Sequence, residues 1–227
     1  MGKKPASPAK ETPRRPVRRA KGRGKKRAIL WGVPLVFALL FLFCIQLYRV
    51  PSRAMENTLR AGDYLLLEKL SYGARLPGLN ISMPGVGSVA AGDLVVFHLP
   101  EDPQRVYVKR CLATEGQVVE IVDKAVYVDG IRVPDPPHSK YIDAHLIPGR
   151  SGTRDNLSPM EVPSGHVFLI GDNRDNSRDS RHWGSIPLES ITGRAISVVF
   201  SLEAKAEEEA GLLPFRVRWS RLGAWLH

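Results

Sequence analysis

Residues 28–48, AILWGVPLVFALLFLFCIQLY, form 21 consecutive positions without a charge. That length limits what the chain can fold into, because about 20 apolar residues span a bilayer as a helix. Trp31 and Tyr48 sit near its two ends, as interfacial aromatics do. Gly32 and Pro34 lie near the start, where lipid-embedded helices tolerate them. The sequence therefore predicts a transmembrane helix over 28–48. Residues 1–27 hold twelve Lys/Arg and one acid, Glu11, so the N-terminus is expected in the cytoplasm and everything after about Arg49 outside.

The competing reading is a cleaved secretory leader. Ser52-Arg53-Ala54 puts small residues at the spacing a cleavage site needs. The apolar run is longer than the roughly 7–15 residues of a leader's central region, which favours a retained anchor.

Net charge is +10 over 227 residues, which raises the question of nucleic acid. The charge is lopsided. Outside 1–27 there remain 21 basic and 22 acidic residues, so the folded part is close to neutral and a poor phosphate binder. The Pro-, Ala- and Gly-rich basic tail, 1–27, reads as disordered. It is suited to anionic membrane lipid, not to nucleic acid. Cys44 and Cys111 do not make a disulfide framework and read as small apolar residues.

From Gly62 onward the pattern is mainly β. Tyr64–Leu67, Leu94–His98, Val106–Lys109, Val118–Val122, Ala125–Val128, Ile131–Val133, His166–Ile170 and Ala195–Ser201 are short runs of β-branched and aromatic residues. Gly-Asp at 62–63 and 92–93 supplies turns, and Asp129-Gly130 marks a hairpin. Phe215–Trp219 is placed to close a sheet. Pro134–Pro163 is rich in turn residues and predicts a long loop or small insertion within an outer domain of residues 49–227.

Three segments carry the chemistry. They are Pro51-Ser52-Arg53-Ala54-Met55-Glu56-Asn57-Thr58-Leu59 before Gly62-Asp63; Gly92–Phe97 leading to Tyr107-Val108-Lys109-Arg110; and Gly171-Asp172-Asn173-Arg174-Asp175-Asn176-Ser177-Arg178-Asp179-Ser180-Arg181. The last, taken alone, is a charged loop. It lacks the Glu that a helix–loop–helix calcium site needs at its twelfth position. Lys109 sits among Val106, Tyr107, Val108 and Cys111, a setting that favours burial and a depressed pKa.

In order and spacing these segments resemble the boxes of bacterial type I signal peptidases, from the anchor to about Trp219. The resemblance implies a mainly β, signal-peptidase-like sheet or partial barrel with one N-terminal transmembrane helix. It also implies a Ser/Lys serine endopeptidase that removes signal peptides after A-x-A sites. Lys109 matches the general base, Ser177 the hydroxyl that orients it, and Ser52 an oxyanion-hole group acting with the N–H of residue 54. Val50, Met55, Leu59, Tyr107 and Val108 match the lining of small substrate pockets. Arg110, Asp172, Asp179 and Arg181 match a charge network bracing the site. No metal or organic cofactor is implied. The expected partners are signal peptides of translocated preproteins, membrane lipid and the secretion translocon, and the expected location is the bacterial inner membrane. Lys rather than His at position 109 points to the bacterial type.

The pattern breaks at one position. The family's strand-borne nucleophile falls on Ala54, and alanine cannot attack. The chain is either a peptidase disabled by a serine-to-alanine replacement or a natural paralogue that binds preproteins or partners an active enzyme. A third reading moves the nucleophile to Ser52, two residues away and on the same face if the segment is a strand.

Overall fold

The computed structural model describes residues 45–73, 85, 87–204 and 214–226, together with Gly2 and Gly32. The basic tail and most of the predicted membrane helix lie outside the described residues. The last four positions assigned to that helix, Ile45–Tyr48, are instead strand, the start of β1 (Ile45–Arg49). Their backbone groups are satisfied by pairing with a neighbouring strand, from Ile45 opposite Glu68 to Arg49 opposite Tyr64. Among the described residues no helix is long and apolar enough to cross a membrane.

Residues Phe41–His227 form one compact unit. Its strands are β1, β2 (Asp63–Glu68), β3 (Leu94–Leu99), β4 (Asp102–Thr114), β5 (Val118–Val122), β6 (Ala125–Val128), β7 (Ile131–Val133), β8 (Leu157–Glu161), β9 (His166–Ile170), β10 (Ile186–Pro187), β11 (Ile191–Ala204), β12 (Phe215–Val217) and β13 (Ala224–Trp225). A nine-stranded sheet runs β1-β2-β11-β3-β4-β9-β10, with β12 and β13 also on β11, and a four-stranded sheet runs β7-β6-β5-β8. The chain is mainly β, as its sequence predicts. Every expected strand is present. Val118–Val122, Ala125–Val128, Ile131–Val133 and His166–Ile170 keep their predicted limits.

Burial explains the layering. In β2 buried and half-buried residues alternate, the mark of a strand with one face on the core. In β3 Leu94 and Val96 enter one apolar cluster while Val95 and Phe97 enter a second, so both faces are covered. The 13-residue β4 adds Val108 to the first cluster, Cys111 to the second, and Leu112 and Ala113 to a third beneath the small sheet. Lys109 is therefore carried on a strand locked into all three.

The Asp129-Gly130 hairpin turns as expected, with φ of 53° and 75° at its two central residues. The neighbouring β5–β6 turn does the same without glycine, at Asp123 and Lys124. The end of the predicted loop at 134–163 is not loop. Leu157–Glu161 is β8 and pairs with β5. The rest of that segment straps onto residues 172–175. The Lys140 N–H donates to the Asp172 carbonyl at 2.8 Å, and the Arg174 N–H returns to Lys140 at 2.9 Å. Asp175 accepts from the Ile142 and Asp143 N–H groups and from Lys124, at 2.8–2.9 Å.

The C-terminal turn, Trp219–Arg221, ties down the segment that precedes β2. Asp63, fully buried, receives Arg221 through both carboxylate oxygens and the Ser201 hydroxyl at 2.6 Å. Arg221 also reaches the Thr58 carbonyl at 2.9 Å. Removing one partner of such a pair strands the other charge. Asp63→Ala should therefore cost about 3 kcal/mol in a denaturant titration of the detergent-solubilised chain.

Candidate active site

The site forms where residues 50–59, β4 and residues 171–183 meet. Residues 53–59 are a series of turns, not the strand expected for the nucleophile position. The Glu56 N–H bonds the Arg53 carbonyl, and those of Thr58 and Leu59 bond the Met55 carbonyl. The share-a-face argument that would let Ser52 replace residue 54 does not apply to this backbone. Met55, Leu59 and Val50 anchor the turns by burying their side chains in the first apolar cluster.

The Ala54 carbonyl is held from the other side. It accepts the Asn173 N–H at 3.0 Å, and the Asn173 amide donates to the Arg53 carbonyl at 3.1 Å. Glycine at 171 is a steric requirement. A Cβ there would meet the Ala54 carbonyl oxygen at 2.7 Å and collide with the Ser177 side chain. The loop and the turns thus close on each other only because residue 171 has no side chain.

Lys109 is 2% exposed, and its Nζ lies 2.7 Å from Ser177 Oγ. Burial is the main force on its pKa and lowers it to about 8. Asp179 and Asp172 pull it upward and Arg181 pushes it down. Those carboxylates are engaged elsewhere. Asp179 takes both arms of Arg181 at 2.8 Å and the Gly171 N–H at 3.0 Å. Burial alone would raise the Asp179 pKa, but Arg181 holds it below the ordinary carboxylate range. Asp172 receives Arg110 through two bonds of 2.9 and 2.8 Å, and Thr58 donates to it as well. The expected network of Arg110, Asp172, Asp179 and Arg181 is thus assembled from fully or nearly buried groups.

A cleft of about 440 Å³ opens beside this centre, lined among others by Ser52, Ala54, Tyr107, Lys109, Arg178 and Trp183. Tyr107 packs edge-on against Trp183, ring centroids 5.0 Å apart, and builds an aromatic wall. Among the described residues the Ala54 N–H and the Ser52 hydroxyl have no hydrogen-bond partner, and both residues line the cleft. Of the five residues expected to line substrate pockets, Tyr107 faces this cleft. Val50, Met55, Leu59 and Val108 lie in the apolar cluster behind it. Thr58, Gly171, Asn173 and Trp183 join the site without having been singled out from the sequence. The only signal for the first three was position inside the three segments, and Trp183 lies two residues beyond the last of them.

A buried amine able to lose its proton, a hydroxyl that orients it and an N–H/hydroxyl pair at a cleft are the parts of an acyl-transfer site. Comparison with known proteins agrees with that class. Residues 26–200 match the family described as signal peptidase, peptidase S26. The chain is 34% identical over 198 residues to a signal peptidase I of Pseudomonas fluorescens, covering 74% of this chain and 70% of that protein. It is 35% identical over 209 residues to a probable signal peptidase I-1 of Synechocystis, covering 88% of each. A crystal structure of a signal peptidase I from Enterococcus faecalis aligns with 48% of this chain and 98% of that one, at 24% identity and a TM-score of 0.38. The chain belongs to the signal peptidase family, peptidase S26, a family of serine endopeptidases.

The Lys109 pKa falls from an ordinary 10.5 to about 8 on folding. Between those values the unfolded chain holds the extra proton, so stability rises with pH across that window. Below about pH 8 the folded state bears the full cost, on the order of 3 kcal/mol. Lys109→Met should accordingly be about 2 kcal/mol more stable than the parent at pH 7, allowing about 1 kcal/mol for the lost hydrogen bond to Ser177. That advantage should shrink between pH 8 and 10 in parallel urea titrations.

Proposed function

We propose that this chain presents the Ser/Lys cleft of a signal peptidase I to translocated preproteins, and that Ala54 leaves the cleft complete except for the nucleophilic oxygen. The observation that carries this reading is the Lys109 amine, 2% exposed and 2.7 Å from Ser177 Oγ, opening into the cleft that Ala54 lines. A lysine so placed is an expensive feature with one evident use, taking a proton at near-neutral pH.

The chemistry follows for the Ala54→Ser form. The neutral Lys109 amine takes the hydroxyl proton while the oxygen attacks the scissile carbonyl. The backbone N–H of residue 54 and the Ser52 hydroxyl receive the developing oxyanion. The lysinium then gives its proton to the departing amine, and the same amine activates the water that frees the acyl group. Ser177 keeps the amine aimed throughout. Small side chains such as those of A-x-A sites suit a shallow cleft walled by Tyr107 and Trp183.

Topology belongs to the same proposal. Residues 28–44 anchor the chain in the bacterial inner membrane, the basic tail stays in the cytoplasm against anionic lipid, and the β domain works on the outer face. Cleavage points of preproteins leaving the translocon emerge at that level. Ala54 within an otherwise assembled site favours a second reading, that the natural chain binds preproteins, or partners an active enzyme, without cutting.

Cleavage of a preprotein with an A-x-A site, in detergent, tests both. The Ala54→Ser form should cut and the chain as it stands should not. The cutting rate should rise from pH 7 to 9 with a midpoint near the Lys109 value of about 8. Adding Lys109→Met to that form should lower the rate by at least about 100-fold. If neither form cuts but the chain binds preprotein, the binding reading stands. Activity in the chain as it stands would place the nucleophile elsewhere.

A further inference from the structure

Arg178 is not explained by the acyl-transfer apparatus. It follows Ser177 directly, yet its side chain is exposed and lines the same cleft as Ala54 and Lys109. Among the described residues it has no hydrogen bond and no ion pair. Of the other cations around the cleft, two are paired with acids and a third stacks on an aromatic ring. Arg181 is bound to Asp179, Arg110 to Asp172, and the Arg105 guanidinium lies over the Tyr107 ring, 5.6 Å from its centroid. The nearest acid in sequence, Asp179, is fully buried and already accepts from Arg181 and Gly171.

Position matters as much as charge. The backbone beneath Arg178 is fixed on one side by Ser177, which holds Lys109, and on the other by Asp179, which caps the helical turn Ser180–Trp183 through the Arg181 N–H. The guanidinium therefore hangs from a backbone held on both sides, beside the cleft it lines. Glu101, before β4, and Asp102 and Arg105, on β4, line the same cleft.

We propose that Arg178 is a specificity-determining residue that selects peptides with a carboxylate side chain within a few residues of the scissile bond. This rests on the cleft being the preprotein site. A planar guanidinium with free donors recognises a carboxylate through two parallel hydrogen bonds, which neither Lys109 nor the backbone of the cleft can supply. Glu101 and Asp102, which line the same cleft, repel a carboxylate placed beside them. Arg178 touches no reacting atom, so it sorts substrates and does not take part in bond making.

The test uses the full chain in detergent, whose Ala54 keeps bound peptide intact. Fluorescent peptides with one A-x-A site carry Glu, Gln or Lys in turn at each of three positions on either side of the cut. At one position at least, Glu should bind about five-fold tighter than Gln, the size expected of a partly exposed charge pair. Arg178→Ala should abolish that difference while leaving the affinity of the Gln peptide within about two-fold. Arg178→Glu should reverse the order, favouring Lys over Glu at the same position. The preference should also shrink as salt is raised.

Affinities that ignore charge at all six positions overturn the proposal. So does Arg178→Ala tightening every peptide alike, since that outcome would make Arg178 an obstruction of the cleft. Failure of the chain to bind any of the peptides removes the functional reading beneath it, and the proposal with it.

Discussion

A lysine amine buried beside carboxylates must be kept from pairing with them, and much of the site is arranged around that requirement. Asp172 and Asp179 both act on Lys109 and both raise its pKa. Had either formed a contact pair with the amine, the proton would be held and the base lost. Each carboxylate instead carries its own guanidinium in a two-bond pair, Arg110 on Asp172 and Arg181 on Asp179. Arg181 also repels the lysine proton directly, so one residue engages the neighbouring acid and lowers the pH at which the amine becomes neutral. What remains to Lys109 is a neutral hydroxyl, Ser177, which orients the amine without charging it.

Holding that arrangement requires two rigid supports at right distances. One is β4, fixed in three apolar clusters along its length. The other is the loop 171–181, which has little apolar content of its own and is held by polar bonds from four directions. The strap 140–143, the β5–β6 turn through Lys124, the turns at 53–58, and the helical turn with Arg181 all bond to it. Buried ionic contacts of this kind add little net stability. Here they fix geometry, the task for which the apolar clusters behind them are too unspecific.

Much of this was legible in the sequence, and the misses have identifiable physical causes. The strands after Gly62 announced themselves because their apolar content comes from packing against the three clusters. β8 was missed because Leu157–Glu161, LSPME, is half polar and contains a proline, as an edge strand can. β1 was missed because Ile45–Tyr48 continues an apolar run, and hydropathy alone does not separate a strand face from a lipid face. A strand at residue 54 was expected only from the resemblance, and nothing local announces the turns at 53–59 that bring Met55 and Leu59 into the core together. Lys109, Ser177 and the four bracing charges were found through the resemblance. Their pairing, with each acid matched to one arginine, needed the fold. Gly171 could not be recognised as a steric necessity until Ala54 and Ser177 were known to face it.

The alanine at position 54 fits the same physical account without strain. A methyl in a half-exposed turn asks nothing of its surroundings, so the loss of one oxygen leaves the fold untouched. The rest of the site is not neutral in that sense. Lys109 burdens the folded state by about 3 kcal/mol at pH 7, a large part of what a domain of this size has to spare. A core position that served packing alone would be better filled by Met or Leu. The chain therefore carries a costly amine, hydrogen-bonded to Ser177, at a cleft that Ala54 also lines. That combination fits a cleft still used for a peptide, whether the missing atom was removed from an enzyme or its absence suits a chain that holds preproteins without cutting them.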